Sequence, residues 1–132
     1  MTSEHGRAGF TLIELMIVMT ILGILMTIAV PSYKRSVIKA RETALAENLY
    51  QMRQAIDAYF ADQARYPDSL DSLVEARYLR AVPVDPFTQS ADTWETVPPA
   101  PLENGELAEG GVFDVFSGSD MVGLNGMPYS EW

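Results

Sequence analysis

The sequence predicts an α+β fold, in which one long N-terminal helix packs on a small sheet and a loop closes the carboxyl end. Three observations predict it. Phe10 to Val30 is a run of 21 residues with Glu14 as its only charge. Beyond it, Leu45, Leu49, Met52, Ile56 and Tyr59 recur at steps of four and three, the period of one helix face, with Ile38 a heptad earlier. Finally "GVFDVFS", residues 111 to 117, collects the β-branched and aromatic residues that suit a strand.

The first element is long enough to cross a bilayer, which takes about 20 apolar residues as a helix. A secretory signal would place a basic segment before the apolar stretch and small residues after it. Here "MTSEHGRAG" precedes it with mixed charge, and "TIAVPSYKR" after it is a poor cleavage site. Glu14 is the anomaly, because a charged side chain at the centre of a span costs roughly 2.5 to 3.5 kcal/mol, and less near the interface. It needs a partner.

Residues 10 to about 64 are expected to form one helix interrupted by Pro31, roughly 80 Å long at 1.5 Å per residue, so its outer half must project from a membrane. Pro31 removes the bond to the Thr27 carbonyl and Gly23 has poor helix propensity, which makes residues 23 to 31 the weakest part. Glu42, Glu47, Arg53 and Asp57 fall mostly off the apolar stripe. After "QARYP", the segment "PDSLDSLVEARYL" reads as a short amphipathic helix capped by Asp68 or Ser69, with Leu70, Leu73 and Val74 inward. "AVPVDPF" is extended, since each proline biases its predecessor away from helix. Residues 88 to 111 suggest a long loop with at most one short strand, around "TWETV".

Composition narrows the function. The chain carries a net charge of −9 and no cysteine, and its single histidine, His5, precedes the apolar run. All nine Lys and Arg lie in residues 1 to 80, while residues 81 to 132 hold nine acids and no base. Such a C-terminal part repels nucleic acid, permits a hard cation, and contains neither disulfides nor thiolate metal sites. Asp68 with Asp71, or Ser117 with Asp120, come without a lysine, a phosphate loop or an oxyanion motif, so a cap and a turn account for them better than catalysis. No enzyme is expected.

Gly9 followed by Phe10 and "TLIEL" resembles the type IV pilins and the pseudopilins of type II secretion. That resemblance implies a polar leader, residues 1–9, cut by a prepilin peptidase between Gly9 and Phe10, and N-methylation of the new Phe10 amine. It divides the chain further into a transmembrane and filament-core helix at 10–30, an amphipathic half-helix at 31–64 and a head at 65–132. The new amine gives Glu14 its partner: when subunits pack side by side, the carboxylate of one pairs with the amine of the next. The segment around Gly23 and Pro31 is expected to loosen on packing. The leader departs from the family in carrying Arg7 as its only base, with Ala8 beside the cut. Lys34, Arg35, Lys39 and Arg41 would keep the C-terminal side cytoplasmic by the positive-inside rule, whereas the resemblance places it outside the inner membrane, in the periplasm.

"RYP", "VPVDPF", "DVFSGSD" and the closing "EW" occur in the order seen in the major pseudopilin of type II secretion. The resemblance implies a pilin-like α+β fold with a small antiparallel sheet, and a last loop that binds Ca2+ where many type IV pilins have a disulfide. Asp120 and the backbone carbonyl of Gly118 carry over most directly, with Ser117, Asn125 and Glu131 as further oxygen donors. Two acids often found in that family's loop are replaced here by "LNGMPYS". The alternative is a loop held only by the packing of Tyr129 and Trp132.

By resemblance, then, the chain is a homopolymer subunit of an inner-membrane-anchored periplasmic filament. Its partners would be minor pseudopilins, an assembly platform with a cytoplasmic ATPase, the outer-membrane secretin and exported proteins. Two alternatives stand beside it. One is a type IV pilin of a surface pilus serving adhesion, motility or DNA uptake. The other is a membrane-anchored calcium-binding module that does not polymerise.

Overall fold

A computed structural model describes residues 9–132, so most of the expected leader, with His5, Arg7 and Ala8, lies outside the described residues. Contacts divide the chain into Met1–Val37 and Ile38–Trp132. Helix α1, Leu12–Gln63, runs for 52 residues through both.

The start of α1 has a local cause. The Glu14 N–H donates to the Thr11 hydroxyl at 3.2 Å, and the Leu15 N–H donates to the Thr11 carbonyl at 3.1 Å. Thr11 and Glu14 thus have the Thr-x-x-Glu spacing of a capping box, with the carboxylate in the first turn where the helix dipole favours it. The expected interruption at Pro31 is absent as a break: α1 stays helical through Gly23 and Pro31. Proline withdraws one donor, and the helical bonds on either side carry the chain across it. Past Gln63 the helix stops where Ala64 takes a left-handed φ of 54° and its N–H returns to the Phe60 carbonyl at 2.9 Å.

In the unit Ile38–Trp132, the expected stripe is the core. Leu45, Leu49, Met52, Ala55 and Ile56 of α1 are buried together with Leu73, Trp94, Val112, Val115 and Tyr129, and Tyr59 packs against them. Helix α2, Leu70–Glu75, is capped by Ser69, whose hydroxyl accepts the Ser72 N–H at 3.2 Å. Asp68, the other candidate cap, instead pairs with Arg65 at 2.8 Å. α2 closes with the N–H groups of Tyr78 and Arg77 returning to the carbonyls of Leu73 and Val74, and Arg77 has φ 64°.

Strand β1, Glu95–Val97, pairs antiparallel with β2, Asp114–Phe116, so that Thr96 faces Val115. β2 is shorter than the expected 111–117 because the chain before it is bonded elsewhere. The N–H groups of Gly111 and Val112 both donate to the Pro67 carbonyl at 3.0 Å. Val115 alone of β2 is buried, the alternation of a strand with one face on the core.

Candidate functional site

Two regions carry the functional expectations, one in each unit. In the first, the side chains from Phe10 to Val30 are uncovered: Phe10 is 84% exposed, and none of the most apolar window of α1 is buried. A helix apolar on every side is covered by lipid or by other chains, not by water. Glu14 is exposed among these side chains, and its backbone N–H is held by Thr11. Gly9 and Phe10 precede the helix outside regular secondary structure, both exposed.

The second region is the C-terminal loop, and its anchor lies thirty-two residues upstream in sequence. Asp85, from "VPVDPF", is fully buried. Its Oδ1 accepts the Phe87 N–H at 2.8 Å and the Thr88 N–H at 3.4 Å, and its Oδ2 accepts the Ser117 hydroxyl at 2.5 Å. Ser117 Oγ in turn accepts the Ser119 N–H at 3.1 Å, so this serine is a structural link between two turns. Gly118 follows because nothing larger fits: a Cβ there would lie 2.0 Å from the Thr93 carbonyl oxygen.

The remaining expected donors are dispersed in role. Asn125 Oδ1 accepts the Met127 N–H at 3.0 Å and pins its own turn, Glu131 is exposed in a final 3-10 turn, Tyr129–Glu131, and Asp120 is exposed in the loop. Among the described residues, no group of three or more His, Asp or Glu side chains is placed to hold a metal ion. Calcium takes about six to eight oxygens, so the carboxylates of Asp120 and Glu131 alone would not supply them.

Two charged residues of α1 do touch the loop region. Glu42 Oε1 accepts the Leu124 N–H at 2.7 Å and the Tyr129 hydroxyl at 2.8 Å. Arg53 donates through Nε to Asp114 at 2.8 Å, and through Nη2 to the carbonyls of Val115 at 2.9 Å and Trp132 at 3.0 Å. The ring of Tyr129 stacks on Phe87, with centroids 3.9 Å apart, and meets Trp132 edge-on at 5.2 Å. Burial first, then the bond to Glu42, pushes the Tyr129 hydroxyl up to about 12. Asp85, Glu42 and Arg53 were not among the expected site residues. The available signal was that Glu42 and Arg53, eleven residues apart, lie on one flank of the apolar stripe.

Residues 5–30 match the family described as the prokaryotic N-terminal methylation motif. The type II secretion system core protein G of Pectobacterium carotovorum is 30% identical over 145 residues, covering 98% of this chain and 83% of that protein. The chain belongs to the type II secretion core protein G family. The family's Klebsiella pneumoniae member is likewise 30% identical, over 95% of this chain and 90% of its own length. A shorter likeness joins this core protein G relative to the competence protein ComGC of Halalkalibacterium halodurans, 35% identical over 57% of this chain and 74% of ComGC. No solved structure matches the chain. Core protein G is the major pseudopilin, and the pilin-like architecture expected of the family is present: a long apolar N-terminal helix and a two-stranded antiparallel sheet.

Proposed function

We propose that this major pseudopilin is cut between Gly9 and Phe10 by a prepilin peptidase, methylated on Phe10, and held in the inner membrane by residues 10–30 with its C-terminal unit in the periplasm. Polymerisation then buries the apolar face of each α1 against its neighbours, and Glu14 of one subunit pairs with the Phe10 amine of the next. The filament, built by an inner-membrane platform and a cytoplasmic ATPase and joined by minor pseudopilins, pushes folded proteins through the outer-membrane secretin. The subunit contributes packing and charge pairing and catalyses nothing. The observation that carries this reading is the likeness to core protein G over 98% of the chain. The exposed apolar segment of α1 supports it, since that surface requires a cover.

A second reading, a surface pilus subunit, is favoured by the likeness to ComGC, but that likeness spans little more than half of the chain. A deletion strain separates the two when its secreted proteins and surface pili are measured in the same cultures. Loss of specific exoproteins with pili intact is expected. Loss of pili with normal secretion would establish the second reading instead.

A further inference from the structure

The C-terminal loop is joined to α1 by an anion. Glu42 receives two donors from the loop, the Leu124 N–H and the Tyr129 hydroxyl, through a single carboxylate oxygen. Three helical turns further on, Arg53 takes up the Trp132 carbonyl at the end of the chain. Several of the loop's own acceptors are already used inside it. The Met127 carbonyl receives the Gly123 N–H at 2.8 Å and the Trp132 indole at 3.3 Å, the Met121 carbonyl receives the Tyr129 N–H at 3.0 Å, and Asn125 Oδ1 receives the Met127 N–H. The two contacts to Glu42 therefore have the reverse polarity of calcium coordination. A bound cation gathers inward-facing oxygens, whereas this loop turns donors toward a carboxylate.

We propose that Glu42 and Arg53 close the C-terminal loop without a metal ion, Glu42 standing where an ion or a disulfide would otherwise tie the loop to the fold. The closure concerns the single chain, so it stands or falls apart from the role in a secretion filament.

The test is amide hydrogen exchange and thermal unfolding of the full chain in detergent micelles, with millimolar calcium and with chelator. The expected result is the same Tm and the same exchange over residues 117–132 in both. Glu42→Ala should speed exchange at Leu124 by about tenfold or more. Glu42→Gln, which retains an acceptor oxygen, should recover part of that protection and keeps the experiment readable if the alanine variant unfolds. A calcium-dependent rise in Tm or slowing of exchange in the loop would overturn the proposal. So would unchanged Leu124 exchange in both Glu42 variants.

Discussion

Asp85 and Ser117 meet in the interior of the head, both fully buried, with the serine hydroxyl donating to the carboxylate at 2.5 Å. This contact ties the turn after "VPVDPF" to the end of β2, and each partner also holds a backbone N–H of its own turn. Replacing Asp85 by alanine leaves the Ser117 hydroxyl and the Phe87 N–H without that acceptor. The expected loss is about 2 to 4 kcal/mol in chemical denaturation, with Asp85→Asn costing less because it keeps one carbonyl oxygen. Equal stability of Asp85→Ala and the parent would contradict the assignment.

Arg53 is worth more for its shape than for its charge. Its side chain and that of Asp114 are 33% and 30% exposed, so the ion pair alone is partly screened. The guanidinium also satisfies two carbonyls, that of Val115 in β2 and that of Trp132. Arg53→Lys preserves the charge but not the fork, and should cost about 1 to 2 kcal/mol. A lysine variant as stable as the parent would show that only the charge mattered.

Tyr129 sets an alkaline limit. Its hydroxyl is raised from 10.0 to about 12, by burial first and then by the Glu42 carboxylate that accepts its proton in a hydrogen bond. A raised folded value means that the folded chain keeps this proton where the unfolded chain has lost it. The stabilisation is full below pH 10 and disappears as pH rises toward 12. Tyr129→Phe, lacking the bond to Glu42, should be less stable at neutral pH by about 0.5 to 1.5 kcal/mol, and the gap should narrow through that alkaline window. A gap that stays constant with pH would count against the linkage.

Much of the fold could be read from the sequence, and the physical reason differs by element. The stripe from Leu45 to Tyr59, the Ser69 cap and both strand segments depend on local periodicity and turn chemistry, which a single sequence displays. Pro31 marked a weak point in α1 but not a break, since the cost of one missing donor is settled by the helix around it. The polar links were not legible. Glu42, Arg53 and Asp85 each find partners thirty or more residues away, and a charged residue beside an apolar stripe looks the same whether it faces water or a loop. At the N-terminus Thr11 caps α1 and Glu14 holds the acid position of a capping box, a local role that its setting in an apolar run hides in the sequence.

That second role sharpens the test of Glu14. If Glu14 only capped α1, Glu14→Gln would do nearly as well, because glutamine also suits that position of a capping box. If it pairs with the Phe10 amine of a neighbouring subunit, the negative charge itself is needed. The most direct measurement is therefore the yield of sheared filaments from cells making the parent, Glu14→Gln or Glu14→Ala, with leader cleavage and membrane insertion checked in the same cells. The account predicts normal insertion and processing in all three, and filament yield reduced at least about tenfold in both variants. Filaments at parental yield from Glu14→Gln would contradict it.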